Sequence, residues 1–254
     1  MIPHRQNGLV YYSFESLAPY KRLKHGVFTR NAPPELKGEL NFSFRPGVPV
    51  LLVQNSLTLA AEALGLDPVV MVNQTHSAEI FYPDVFGPYN PKGPDDLVSG
   101  YDALVTKERK SLLIKLADCQ GVLLFHPESE ALALVHSGWR GSKQNILGRT
   151  VAFLKERLQV PPSELMAAVS PSLGPCCAEF IHYREELPQE FWAYRNPHND
   201  HFDFWAITRN QLITAGLKPQ NIDVAGICTK CHSEFFSYRR GDPGRFGFLA
   251  GVAA

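Results

Sequence analysis

Three short segments carry residues whose types can do chemistry. They are Gln74-Thr75-His76-Ser77, Ala117-Asp118-Cys119-Gln120-Gly121 and His136-Ser137-Gly138-Trp139-Arg140-Gly141. Each sets one imidazole or thiol beside small and polar residues, at the end of a short apolar run. Two histidines and one cysteine with an open fourth position form the donor set of a catalytic zinc, unlike the closed four-ligand structural kind. A zinc so held would lower the pKa of its water to about 7 and supply hydroxide at neutral pH. Without metal, Cys119 and His136 make a nucleophile–base pair of the hydrolase type. The three residues are far apart along the chain and lack any local ligand spacing. Spacing alone therefore favours the plainer reading, two hydrogen-bonded loop histidines and a packed thiol.

Other clusters carry weaker signals. Cys228-Thr229-Lys230-Cys231 can be half a zinc site or a redox pair. Its other half would have to be Cys176-Cys177, and adjacent cysteines make a poor chelate bite, so packing near a functional loop is the preferred reading. His232-Ser233-Glu234 matches half of a nucleobase-deaminase signature, but no Pro-Cys-x-x-Cys follows it, which excludes that fold. Arg239, Arg240 and Arg245 give the C-terminal region three guanidinium forks suited to phosphate or carboxylate.

The elements that must position these groups follow from periodicity. A helix is expected over 50–66 and a strand over 69–72, running into the His76 segment. Short apolar strands follow at 101–106, 112–117, 122–125 and 131–135. Their links are too short for crossover helices, so antiparallel hairpins are expected. Hairpins would bring Cys119, at a turn, and His136, at a strand end, to one sheet edge. Leu147, Val151, Leu154 and Leu158 form one helical stripe within 142–158, ended by Pro161-Pro162. A strand at 165–169, helices near 185–194 and 204–217, and a strand over 221–227 complete the pattern. The stretch 82–100 reads as a long ordered loop, and the tail from 228 to 254 as irregular. Hairpins, then a helix, then a strand, then helices make this α+β, with mixed, largely antiparallel sheets and flanking helices. No Gly-rich dinucleotide fingerprint or Walker loop is present.

Composition sets the outer limits. The 254 residues are 44% hydrophobic and 20% charged, as in ordinary globular proteins. Lys plus Arg and Asp plus Glu are 25 each, for a formal net charge of zero, so no global basic field exists to hold nucleic acid or an anionic membrane. The N-terminus lacks a signal-peptide pattern and no long apolar run spans a bilayer. Five cysteines, an odd number, suggest a reducing cytoplasm and free thiols.

Taken in order, the three segments, with Leu173-Gly174-Pro175-Cys176-Cys177, the tail from Cys228 through Ser237-Tyr238-Arg239-Arg240 to Arg245, and the opening His25-Gly26-Val27-Phe28-Thr29-Arg30, resemble one family. This is the YfiH family, also known as laccase-domain or polyphenol oxidase proteins and as purine nucleoside phosphorylases. The resemblance runs from about residue 25 to 247 and outweighs the plainer reading of the spacing. It implies a single α+β domain over 1–254, of the kind shared with cytotoxic necrotizing factor toxins. It implies Zn2+ held by His76, Cys119 and His136, and Asp118, next to Cys119, is a candidate for supporting the ligands or handling protons. Gln74, Arg45, Arg140 and Arg239 are then the candidates for substrate contact. The implied activity is phosphorolysis of adenosine, inosine, guanosine or methylthioadenosine, plus adenosine deamination, so purine nucleosides and phosphate are the expected partners. A peptidoglycan-editing role is also attached to that family. Copper oxidase chemistry, as in the family's other name, is disfavoured because the nine histidines include no His-x-His pair. One departure concerns phosphate. Family members usually carry Asn-Arg in the helix before the first histidine motif, where this chain has Asn55-Ser56, so Arg45 or the tail arginines would have to compensate.

Overall fold

The computed structural model describes residues 1–36, 39–66, 69–85, 91 and 93–253. Twelve strands are described: β1 Ile2–Gln6, β2 Leu9–Ser13, β3 Leu23–Phe28, β4 Val69–Val70, β5 Ile80–Phe81, β6 Ala103–Thr106, β7 Ser111–Leu116, β8 Gln120–Phe125, β9 Leu132–Ser137, β10 Met166–Val169, β11 Ile222–Val224 and β12 Phe246–Val252. The α-helices are α1 Val50–Leu64, α2 Trp139–Lys143, α3 Ile146–Leu158, α4 Tyr183–Glu186 and α5 Phe204–Thr214.

The strands form two six-stranded sheets, ordered β1-β2-β3-β12-β7-β4 and β11-β10-β8-β9-β6-β5. Each is antiparallel except for one parallel pair in the first (β4 with β7) and two in the second (β10 with β11, β5 with β6). Period-two alternation decides what each face touches. Along β8, Leu123 and Phe125 pack on Ile114, Leu116 and Phe248 of the facing sheet, while Val122 and Leu124 pack on Leu147, Val151 and Leu154 of α3. On the far side of the first sheet, Tyr11, Phe28, Leu113 and Leu249 meet Ala60, Ala61 and Leu64 of α1. The result is helix, sheet, sheet, helix: an α+β fold with mixed, largely antiparallel sheets and flanking helices.

Four expectations change. The expected chain of hairpins holds for β8–β9, but β7 and β8 do not pair. The chain crosses through Ala117–Cys119 from one sheet to the other, so the strands before and after Cys119 belong to different layers. The helix expected over 142–158 breaks at Asn145, which sits at φ 55° and caps α3 by accepting from Gly148 N. Pro188 splits the helix expected near 185–194 into the single turn α4 and a 3-10 segment, Gln189–Tyr194. The tail expected to be irregular ends in β12, one of the two central strands of the first sheet, paired with both β3 and β7. The expected loop over 82–100 falls partly outside the described residues. Among the described residues no helix is long and apolar enough to cross a membrane.

Candidate metal centre and cleft

The β8–β9 hairpin decides where two of the three candidate ligands sit. Its register sets Gly121 opposite His136 and Gln120 opposite Ser137. Cys119, one residue before β8, therefore lies beside His136. The third comes from the loop after β4. Asp102, just before β6, is fully buried. Its carboxylate accepts from the amides of Thr75, His76 and Ser77 at 3.1, 3.0 and 2.7 Å, and from Ser77 Oγ at 2.9 Å. The same carboxylate accepts from His136 Nδ1 at 2.7 Å. One buried anion thus fixes both histidines. His76 is held at φ 61°, a left-handed conformation that a non-glycine residue adopts only under constraint.

The three ligand atoms lie within 4.8 Å of one another, and Cys119 Sγ is 3.8 Å from His76 Nε2. The imidazoles meet edge to face, centroids 4.9 Å apart. A tetrahedral zinc with Zn–S near 2.3 Å and Zn–N near 2.0–2.1 Å sets sulfur and nitrogen about 3.6 Å apart, so the donors fit that ion. Donating its Nδ1–H to Asp102, the His136 ring would give up its Nε2 proton to hold a metal there, the carboxylate–histidine arrangement found behind zinc ligands. Gly138 leaves the space they need: a Cβ there would stand 2.9 Å from His76 Cδ2 and 3.0 Å from Cys119 Sγ.

The electrostatics favour a thiolate. Burial pushes the Cys119 thiol up, but the facing His136 charge and hydrogen bonds from both histidines bring it down to about 6. Burial pushes His136 down, but the Cys119 thiolate and Asp102 raise it to about 9. Burial raises Asp102, yet His136 and Ser77 hold it at about 2.

The trio opens into a cavity of about 860 Å³. Arg45, Arg140 and Arg239 line it, as do Gln74 and Asp118, whereas the Arg240 guanidinium is turned away onto Thr229 O, Lys230 O and Asp242. Some of their polar atoms are already engaged. The Gln74 side-chain amide donates to Lys115 O at 2.9 Å and accepts from Lys115 N at 2.8 Å, clamping the His76 loop to β7. Asp118, at φ 82°, accepts from Thr229 Oγ1 at 2.6 Å and from the Arg239 amide at 2.7 Å. Arg239 also donates to Glu179 O, and Arg45 to Pro243 O. The Arg140 guanidinium lies 4.8 Å over the Trp139 ring.

Sequence reasoning missed Asp102 and Lys115 in this site, and did not place Arg245 beside Arg45. The signal for Asp102 was an acid interrupting the apolar run after Tyr101. Burial lowers Lys115 to about 8, with Asp102 opposing and Arg245 adding to the fall. Arg245 is lowered by burial and then by Arg45, which places three cations around one side of the cleft. Ser56, the residue at the expected arginine position, does not line the cleft. It is buried, donating to Leu52 O and accepting from Asn41 N, and Asn41 Oδ1 in turn accepts from the amides of Ser43 and Arg245.

The family model described as multi-copper polyphenol oxidoreductase laccase matches residues 24–254. The chain belongs to this laccase-like family. Among its relatives, the purine nucleoside phosphorylase YlmD of Geobacillus stearothermophilus is 31% identical, over 87% of this chain and 86% of that one. The adenosine deaminase RL5, from an unknown prokaryotic organism, is 30% identical over 72% and 74% of the two chains. The crystal structure of the Geobacillus YlmD superposes with a TM-score of 0.86 at 26% identity, covering 99% and 98%. The laccase-like family is metal-binding, and its relatives' names support an enzyme that processes purine nucleosides. The family description refers to several coppers, yet among the described residues only one candidate metal cluster contains two histidines.

Proposed function

We propose that this chain is a zinc-dependent purine nucleoside enzyme, cleaving adenosine, inosine, guanosine or methylthioadenosine with inorganic phosphate and deaminating adenosine. The observation that carries this reading is the convergence of His76, Cys119 and His136 on one point of a cavity lined by cations and aromatic rings. The relatives' activities support the substrate class. A zinc ion on those three ligands supplies Lewis acidity and ionises water near neutral pH. A cysteine nucleophile needs one imidazole; two face this sulfur, which favours the metal over the hydrolase alternative.

The chain's own residues then divide the work. Arg45, Lys115 and Arg245 attract phosphate and replace the charge that Ser56 lacks. Deamination needs no phosphate and does not depend on them. Trp139 and Phe180 offer faces for the base, with Arg140 and Arg239 each stacked over one of those rings. Asp102 holds both histidines, while Gln74 and Asp118 position the loops that carry His76 and Cys119. In phosphorolysis the bond between the base and C1′ breaks and a bond from C1′ to a phosphate oxygen forms, and the proton carried in by hydrogen phosphate ends on the departing base nitrogen.

The test is chromatographic, with metal-replete protein, adenosine and inosine, each with and without phosphate. Hypoxanthine and ribose phosphate from inosine only when phosphate is present, and inosine from adenosine without it, are the expected products. No product from either nucleoside under any condition refutes the proposal.

A further inference from the structure

A second soft donor set lies outside the cleft. Cys176 and Cys177 sit in the turn after Gly174-Pro175, and Cys228 and Cys231 bracket Thr229-Lys230. The fold brings the two halves together. Ser172 bridges to Cys228, Ser172 N donates to Ile227 O at 3.1 Å, and Thr229 N donates to Ser172 O at 3.0 Å. Cys177 N and Ala178 N both donate to Gly174 O, a tight turn that lets two consecutive thiols serve one point. This answers the objection that adjacent cysteines have a poor bite, because the turn supplies it.

The sulfur of Cys231 lies 3.8 Å from that of Cys176 and 3.5 Å from that of Cys177. All four sulfurs lie within 4.8 Å of one another. In a tetrahedral zinc tetrathiolate with Zn–S near 2.3 Å the sulfurs are about 3.8 Å apart. Four thiols packed this closely, one of them buried, share a volume the size of one such ion. The surroundings suit the charge it would carry. Backbone amides of Gly174 and Cys231 hydrogen-bond to Cys228, and the Arg240 guanidinium donates to Thr229 O at 2.8 Å and Lys230 O at 3.0 Å. Amide and guanidinium donors offset the net negative charge of four thiolates around a dication.

We propose that Cys176, Cys177, Cys228 and Cys231 bind a second zinc ion as a closed four-sulfur site. Binding breaks four S–H bonds and forms four Zn–S bonds; the protons go to solvent and nothing is oxidised. With all four positions filled by protein, this ion has no slot for substrate, and its role is to pin the cleft walls. One half of the site runs into Leu173, Ala178 and Phe180, which line the cavity. The other leads through Thr229, whose hydroxyl holds Asp118, to Tyr238 and Arg239 on the opposite rim.

Elemental analysis of the full chain, purified under a thiol reductant, should find two zinc ions per molecule. A Cys176→Ser/Cys231→Ser protein should lose one of them and keep the other, whereas Cys119→Ser should lose the cleft ion and keep this one. Hydrogen exchange should rise in 170–182 and 228–240 only in the first variant. If that variant fails to fold, cobalt substitution of the wild-type chain gives the answer. Sulfur-to-cobalt charge transfer should match five thiolates, and absorption from a single thiolate overturns the proposal. An unchanged metal count in the double variant also overturns it, as do iron with inorganic sulfide or disulfides among these four cysteines in the reduced native protein. Zinc lost in the double variant but unaffected by Cys119→Ser would uphold this site while removing the metal from the proposed nucleoside centre.

Discussion

Asp102, with no exposed surface of its own, accepts a hydrogen bond from His136 Nδ1 at 2.7 Å, and the same carboxylate collects three successive amides from the loop that carries His76. A single negative charge therefore sets the ring orientation of one candidate ligand and the backbone of the other. Asp102→Asn keeps the volume but removes the charge and offers the imidazole a weaker acceptor. Zinc affinity should fall about 10- to 100-fold, as for other partners of metal-bound histidines. Chelator competition measures it, with circular dichroism as the check that the fold persists. Unchanged affinity would remove Asp102 from the metal centre.

Gly138 gives a prediction of a different kind, because its backbone, at φ −82° and ψ 172°, is open to any residue. Only space is at issue. The Cβ of Gly138→Ala would meet His76 and Cys119 at 2.9 and 3.0 Å, so the ligands must move apart while the sheets are untouched. Metal content and nucleoside turnover should drop sharply, with the melting temperature of the metal-free protein changed little. Full metal occupancy in this variant would mean that the ligands do not converge beside Gly138.

Much of this site was legible because its residues stand at strand ends. Short apolar runs broken by His76, Cys119 and His136 announced where chemistry could sit, and the β8–β9 hairpin expected from short links is what joins Cys119 to His136. What periodicity could not supply was the layer each strand joins. β7 and β8 look alike in sequence, yet the crossing at Asp118 sends them to different sheets. β12 escaped notice because FGFLAGV is buried on both faces and so lacks a polar alternation. Its glycines also lower strand propensity, but Gly247 is needed there, since a Cβ would stand 2.8 Å from the Phe42 ring. The local bite of adjacent cysteines argues against a four-cysteine cluster, and it is a long-range contact, the Ser172–Cys228 bridge, that brings its halves together.

His25 predicts an acid-sensitive fold. Burial, with a smaller contribution from His4, lowers it to about 4, and its Nε2 accepts from Phe14 N at 2.8 Å, which requires the neutral ring. Its unfolded value is near 6.5, so between pH 6.5 and 4 the unfolded chain binds the extra proton. Stability from this group is complete above pH 6.5 and is lost as pH falls toward 4, by roughly 2–3 kcal/mol between pH 7.5 and 4.5. Urea denaturation at both pH values measures the loss. His25→Gln should lower stability at pH 7.5 and flatten the difference between the two. Asp102, held at about 2, loses its contribution only below about pH 4 and stays outside this window, and the comparison with the variant separates His25 from the other histidines. An equal loss in both proteins would show that His25 does not titrate in this way.

Lys115 links pH to phosphate. Its ammonium donates to Val72 O at 2.9 Å, it lines the cleft with Arg45 and Arg245, and its value of about 8 means that it discharges within the working range of most enzymes. Below pH 8 three cations face that side of the cleft; above it, two. The KM for phosphate should therefore rise as pH increases through about 8, while adenosine deamination, which uses no phosphate, shows no inflection from this group. Lys115→Met should raise the phosphate KM at pH 7 and abolish the inflection, leaving deamination within about twofold. Arg45→Ala should raise the phosphate KM and keep the inflection, because Lys115 still titrates beside Arg245. A phosphate KM that is flat with pH in the wild-type chain, or one that Lys115→Met leaves unchanged, would place phosphate elsewhere in the cleft.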